Sequence, residues 1–391
     1  MNDFYAEASD LFEFTCSIRR DLHRHPELAY QEVRTAGVVA GELTQLGFEI
    51  KTGIAKTGVT GLLKGNVPGK VVLLRFDMDA LPIQEETGAE YASQQAGVMH
   101  ACGHDGHVAI GLTVAKILKN HQNDLHGIVK LVFQPAEEGA SGALRMVREG
   151  VLEVPVPDFA LALHLWNEKP VGWLGITPGP IMAGADFFTV QIEGQGGHGA
   201  LPHETIDPIY ATAQIITALQ SIISRNVSPF QSAVISVTRV QAGAATNVIP
   251  SIAEFSGTIR SFEPKVHEMV LERFNEIVNG VAVGMRCRSK IQFFDACPAV
   301  INDKFVTEMV TKSATETWPG ILIDSDYQIM ASEDMSEILQ RVPGCFFLVG
   351  SANTERGLIY GHHNTRFDFD ESVLAGASAV MTGSVFQILN Q

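Results

Sequence analysis

The chain lacks any excess of basic residues: 28 Lys and Arg face 44 Asp and Glu, a formal net charge of −16. That balance repels a polyphosphate backbone and sets nucleic acid aside as a partner. Long hydrophobic runs are missing as well. Stretches such as 127–133 are far too short to cross a bilayer, so no membrane partner is expected. The first ten residues, MNDFYAEASD, show no basic segment leading into an apolar run, and no secretory signal is read there. Cysteine is sparse and scattered, at Cys16, Cys102, Cys287, Cys297 and Cys345. An odd count at wide spacing gives no disulfide framework and fits a reducing cytoplasm. There is no internal repeat, no coiled-coil heptad and no low-complexity tract. The Gly-x-Ser-x-Gly signature of many serine hydrolases is also absent.

What remains is a chain of 391 residues, 46% apolar and 18% charged, enough for a substantial core in two domains or one domain with an insertion. Leu11, Phe14, Ile18 and Leu22 recur at helical spacing, and His25-Pro26 ends that helix. Short continuous apolar runs at 71–76, 128–133, 159–165 and 345–349 read as buried parallel strands. Helical stretches at 108–118 and 142–148 lie among them. The alternation predicts an α/β domain with a mostly parallel sheet.

The middle of the chain follows another rhythm. Strand-like segments at 187–192, 233–240, 253–259 and 288–294 alternate with helices at 208–223 and 264–281. The order is βαββαβ, the ferredoxin-like split unit. The expected organisation is therefore a catalytic α/β domain, 1–184 and 298–391, with an inserted domain at 185–297.

Metal-capable residues gather after the predicted strands, where open parallel sheets bind ligands. Asp77-Met78-Asp79 follows the first, and Glu137-Glu138 follows the second. The third runs into His164, and His362-His363 come after the fourth. Cys102, His104 and His107 stand just ahead of a helix. Each piece alone has a plain reading: a turn, a solvated acidic pair, a structural histidine. Cys102, His104 and His107 alone could make a small closed zinc site, but that would call for more cysteines nearby. Together the five segments predict a transition-metal site. Two adjacent glutamates suit a division of labour, one binding metal and one taking a proton from water. Spacing does not say which does which.

The segments RFDMDALPIQEETG, MHACGHDGH, FQPAEEGASGA, ALHLW, GGHGALPHETIDPI and HHNTRFDFDE resemble the amidohydrolase branch of the aminoacylase and carboxypeptidase metallopeptidases. That branch includes hippurate hydrolases, N-acyl-L-amino-acid amidohydrolases and auxin-conjugate hydrolases. The likeness runs from LHRHPEL to the final helix. It implies a di-metal catalytic domain with an inserted lid that pairs subunits into a homodimer or homotetramer. It also implies two divalent ions per subunit, commonly zinc or manganese, with cobalt and nickel compatible with a Cys, His and Glu set.

By motif, Cys102 (as a bridging thiolate), His104, Glu138, His164 and His363 are the implied metal ligands. Glu137 is the implied general base, and Asp79 a carboxylate that orients a ligand. Relatives outside the branch carry a histidine ligand where Asp77 stands. His363 is preferred to His362 because it aligns with the histidine before the family's Asn/Ser-Pro step; here Thr365 replaces that proline. The likeness further implies that His198 serves the partner subunit's site by polarising the scissile carbonyl, and that Asn247 and Arg260 hold the substrate's carboxylate. The expected reaction is hydrolysis of an N-acyl amino acid by a metal-bound hydroxide. A di-metal dipeptidase or exopeptidase is the alternative, since it would share the same machinery.

Overall fold

Apolar side chains on both faces mark the central strands. Val67–Asp77, His126–Gln134, Phe159–Pro170 and Gly344–Ala352 are buried over most of their lengths, as strands covered on both sides must be. In the computed structural model, which describes residues 3–390, these strands form the middle of an eight-stranded sheet. Val67–Asp77 runs parallel to both His126–Gln134 and Phe159–Pro170, and Phe159–Pro170 runs parallel to Gly344–Ala352. Antiparallel strands Glu49–Ile54 and Gly58–Lys64 extend one side. Trp173–Gly175 and Leu322–Asp324 close the other. Those four outer strands went unpredicted: they are too short or too glycine-rich to show periodicity.

Val72, Leu74 and Phe76 share a core with Leu161, Leu163, Phe347 and the helices His104–Asn120 and Val373–Leu389. Strand alternation sends Arg75 and Asp77 to the opposite face, where Arg75 bonds Gln134. The final helix is apolar all round and buried along nearly its whole length, as expected for a helix inside a large domain. The N-terminal helix of the sequence reading is two helices, Phe4–Asp10 and Phe12–Arg24, and the second ends at His25 as predicted.

The chain divides into two compact units. One comprises the chain up to Ile181, Ile301–Gln328 and everything from Asp334; the other comprises Met182–Val300 and Ile329–Glu333. The second unit holds an antiparallel sheet in the order Ala233–Ala242, Ile252–Ser261, Gly184–Glu193, Arg288–Cys297. Helices Pro208–Arg225 and Pro264–Gly284 share its core through Ile215, Leu219, Val270 and Phe274. This is the βαββαβ order read from the sequence. The 329–333 segment was not part of that reading. It joins this unit because the Ala183 N–H is shared between the Ile329 and Ala331 carbonyls.

Within the first unit, Arg19 is fully buried and bonds three carboxylates: Asp105 (2.9 Å), Asp368 (2.5 Å) and Glu371 (3.0 Å). Its guanidinium lies 4.6 Å from the Tyr91 ring centre and 4.3 Å from that of Phe369. Arg19→Met removes the buried cation that these three carboxylates share and leaves Asp368 without a cationic partner among the described residues. It should lower the unfolding free energy by about 3–5 kcal/mol in a denaturant titration; a loss under 1 kcal/mol would show that water replaces the guanidinium there.

His23, beside it, bonds Asp105 (2.8 Å) and Glu85 (3.3 Å). Burial disfavours its charged form, but those two carboxylates outweigh the burial and hold its pKa up at about 9, above the ordinary 6.5. The folded chain therefore binds this proton more tightly than the unfolded chain. The resulting stability is fully present below pH 6.5 and is lost as pH rises through about 9. Thermal melts across that window should fall less steeply for His23→Gln than for the wild type, and equal slopes would remove His23 from the account.

Candidate metal centre

The helix His104–Asn120 starts abruptly. Gly103 before it has φ +98°, a conformation that suits glycine. The sharp turn leaves Cys102 at the mouth of the helix and His104 in its first turn, both buried. Glu137 and Glu138 sit on a strained bend after the strand His126–Gln134. Ala136 (φ +58°) and Ser141 (φ +53°), on either side of them, are left-handed, a costly state for non-glycine residues. Gly142 seals the bend, since a Cβ there would lie 1.7 Å from the Pro135 carbonyl oxygen.

The strained backbone is tied down by buried carboxylates. Asp79 Oδ1 accepts the Glu137 N–H and Oδ2 the Glu138 N–H, each at 3.0 Å. Glu32 accepts the Ala136 N–H at 3.0 Å and the Thr57 hydroxyl at 2.6 Å. Asp334 accepts from Gln134, Arg75 and the Ala143 N–H. Asp79 was expected to orient a ligand through its carboxylate. Its main-chain carbonyl accepts His104 Nδ1–H at 2.8 Å, with its carboxylate Oδ1 3.4 Å from the same nitrogen, and the carboxylate also holds the two-glutamate backbone.

That bond fixes the orientation of the His104 ring, and Nε2 offers a lone pair once its proton is lost. Nε2 is buried and has no hydrogen-bond partner. His164 donates Nδ1–H to the Leu165 carbonyl (2.6 Å), and its Nε2 lies 3.4 Å from Cys102 Sγ. His164 stands inside the strand Phe159–Pro170 rather than at its end, because the strand continues beyond the apolar run.

Ligand atoms of Cys102, His104 and His164 lie within 4.8 Å of one another. So do those of Cys102, Glu138 and His363, and those of His104, Glu137 and Glu138. Cys102 is common to the first two groups. His363, at φ +64°, places Nε2 3.1 Å from Glu138 Oε1. His362 instead donates Nε2–H to the Leu165 carbonyl (2.9 Å) and stacks on Trp166, with ring centres 4.7 Å apart. Burial holds His362 neutral, its pKa down at about 4.

His107 and Asp77 look like ligands by residue type and are committed elsewhere. His107 Nε2 accepts the Leu165 N–H at 2.9 Å, so its proton is on Nδ1, which bonds Asp77 Oδ1 at 2.5 Å. Asp77 Oδ2 accepts from Arg75 at 2.6 Å.

The electrostatics ask for a cation. Burial opposes a charge on His104, yet Asp77 and Asp79 overcome it and lift its pKa to about 10. Burial, with Glu138 and Glu137 nearby, pushes the Cys102 thiol well above its usual range. Burial also lowers His164, with neighbouring imidazoles helping, so it stays neutral. Burial would raise Glu138, but the His363 hydrogen bond and the charge on His104 bring it below its ordinary value. An unpartnered buried imidazole nitrogen beside a thiol and clustered carboxylates is a donor set that fits a divalent transition metal.

His198, Asn247 and Arg260 lie in the second unit. His198 and Asn247 are exposed on a small ribbon in which Gly197–His198 pairs with Val248–Ile249. The Gly199 N–H donates to the Asn247 carbonyl. His198 Nδ1 accepts the Ala200 N–H (3.0 Å), leaving Nε2–H as its donor in the neutral form. Arg260 is half-buried and donates to the hydroxyls of Thr258 (3.0 Å) and Ser332 (2.6 Å).

Sequence reasoning missed Glu32, Arg75, Gln134 and Asp334. Glu32 and Asp334 hold backbone N–H groups, Arg75 holds Asp77, and Gln134 links Arg75 to Asp334; only a buried charge at the end of an apolar run, such as Arg75, hinted at them.

The sequence pattern of the peptidase family M20/M25/M40 matches residues 73–384. A thermostable carboxypeptidase 2 of Saccharolobus solfataricus is 39% identical over 373 residues, covering 94% of this chain and 93% of that protein. An N-acetylcysteine deacetylase of Bacillus subtilis is 40% identical over 363 residues, covering 93% of each. The crystal structure of a Bacillus subtilis dinuclear metal binding peptidase from the M20 family superposes with a TM-score of 0.86 at 35% identity, covering 98% of this chain and 99% of that one.

Asp79→Asn tests the strap. An amide offers one acceptor where two N–H groups converge, so the glutamate bend should loosen. Affinity for Zn²⁺ or Mn²⁺, read by competition with a chromogenic chelator, should fall about 10- to 100-fold. Unchanged affinity would mean the bend holds itself.

Proposed function

The chain belongs to peptidase family M20/M25/M40, and from that footing we propose that it hydrolyses the amide bond of small N-acylated amino acids with two bound divalent ions. The observation that carries the reading is the pair of three-donor groups sharing Cys102, with Glu137 in reach of His104 and Glu138. In this reading Cys102, His104, Glu138, His164 and His363 would hold the metals, and Cys102 belongs to both donor groups. Zinc, manganese, cobalt and nickel all suit such a set. When bound, the ions supply Lewis acidity toward water and the scissile carbonyl.

The residues of the chain do the rest. Glu137 takes a proton from the attacking water and later delivers it to the leaving nitrogen, so no acyl-enzyme forms. Asp79 keeps Glu137 and Glu138 in register through their N–H groups. His198 Nε2–H serves as a donor to the developing oxyanion, acting in the site of a partner subunit. Asn247 and Arg260 hold the substrate's carboxylate, and a guanidinium fork suits that anion. Arg260 has no carboxylate within ion-pair distance among the described residues, and its contacts are hydroxyls.

A second reading is supported by the relatives. The carboxypeptidase and the deacetylase are equally similar to this chain within a percentage point, and a dipeptidase or carboxypeptidase would use the same base and carboxylate anchor. Hippurate, N-acetyl amino acids and dipeptides, assayed side by side with defined metals, separate the two.

Glu137→Gln is the direct test. Metal content should be retained and kcat should fall about 10²- to 10⁴-fold. Chelation of the wild type should abolish turnover, and Zn²⁺ or Mn²⁺ should restore it. Near-normal turnover in the variant removes Glu137 from the base role, and activity that survives chelation removes the metals.

A further inference from the structure

We infer that Phe187 and Phe294 form the subsite for the side chain of the substrate's amino acid, and that they select large apolar side chains. The inference rests on the reading of Arg260 as the anchor of the substrate's carboxylate.

The sheet of the second unit has two unlike faces. Phe188, Val190 and Ile192 point into its core. Alternation sends Phe187 to the other face, together with Thr258 and Arg260. Register makes the arrangement specific. Thr258 stands directly opposite Phe187 on one side, and Phe294 directly opposite Phe187 on the other. These three side chains form one cross-strand row. Arg260 lies two residues beyond Thr258 on the same face and is tied to its hydroxyl. The Arg260 guanidinium carbon is 5.8 Å from the centre of the Phe187 ring.

Phe187 is 47% exposed and Phe294 54%, whereas Phe188 on the core face is 1% exposed. Two exposed phenylalanines opposite one another across strands, one of them 5.8 Å from a half-buried guanidinium, make an apolar platform beside a cation. Adjacent aromatic rings facing water are a liability unless something covers them. The cation specifies what does so. An α-amino acid carries its carboxylate and its side chain on one carbon, so the two groups lie a few ångströms apart. A carboxylate seated on Arg260 puts the neighbouring side chain at the distance of the Phe187 ring. A polar or charged side chain would lose hydration there, and glycine would leave the rings wet. Phenylalanine, leucine and similar side chains gain from burial.

The experiment measures kcat and KM of the metal-loaded enzyme on N-acetyl-L-phenylalanine, N-acetyl-L-leucine and N-acetylglycine. The wild type should favour the first two. Phe187→Ala and Phe294→Ala should each lower the phenylalanine-to-glycine ratio of kcat/KM about tenfold, mainly through KM for the phenylalanine derivative. Phe187→Leu should keep an intermediate ratio. If the alanine variants melt early, the leucine variants at both positions carry the comparison. A ratio within twofold of wild type in folded variants overturns the subsite and leaves the amidohydrolase reading standing. A wild type that turns over none of the three, yet cleaves dipeptides, overturns that reading instead. The phenylalanine-to-glycine ratio at the C-terminal residue of the dipeptides then decides the subsite separately. No turnover on either series overturns both.

Discussion

A carboxylate removed from water must be met by a cation or by N–H donors, and the first unit is organised by that requirement. Asp77, Asp79, Glu32, Asp105 and Asp334 are all buried. Each has a defined answer: Arg75 and His107, the glutamate amides, the Ala136 amide and Thr57, Arg19 and His23, and Arg75 with Gln134. The apolar strands and the final helix remove the water, and the polar groups must then find one another. That they do so from segments far apart in the chain, 259 positions for Arg75 and Asp334 and 352 for Arg19 and Glu371, is what locks the loops after the strands into one arrangement.

The same accounting separates candidate metal donors from side chains already committed to other bonds. His107 has both ring nitrogens bonded, so it has no lone pair left for an ion in this geometry, and both Asp77 oxygens already accept hydrogen bonds from Arg75 and His107. His104 uses one nitrogen on the Asp79 carbonyl and leaves the other without a partner in a field of carboxylates. His362 and His363 divide in the same way. One is buried, neutral and bonded to a backbone carbonyl; the other sits on Glu138 at a strained φ. Adjacent identical residues thus take different tasks because their surroundings differ.

How much of this was legible in the sequence follows from what sequence can encode locally. The buried strands announce themselves as continuous apolar runs, and the βαββαβ order of the second unit follows from alternation and helical period. Cys102 and His104 were legible because three metal-capable residues crowd within six positions. Glu137 and Glu138 were legible as a pair, but their order of duty was not, because the bend that distinguishes them depends on Asp79 and Glu32 at a distance. The role of the Asp79 backbone was invisible, since a carbonyl oxygen leaves no mark on residue type. His107 misled spacing for the same reason: the Leu165 N–H that occupies it comes from another strand. The hairpin Glu49–Lys64 escaped because glycines interrupt its alternation. The return of 329–333 to the second unit escaped because backbone bonds, not side-chain pattern, hold it there.

In the proposed reading, chemistry and selectivity are carried by different kinds of structure, which bears on why similar chains have names as different as a carboxypeptidase and a deacetylase. Cys102, His104 and His164 are buried, and the two histidines are fixed by bonds to backbone carbonyls. Changing one leaves a charge stranded at a cost of several kcal/mol, so the set resists gradual change. Phe187, Phe294 and Asn247 are exposed on strands and a ribbon whose register is set by main-chain hydrogen bonds. Substitution there disturbs neither core nor charge balance and costs little in stability. A chain built this way can alter which side chain it accepts while its hydrolytic residues stay in place. The residues that read the substrate should therefore be sought on the open face of the second unit's sheet rather than among the buried groups of the first.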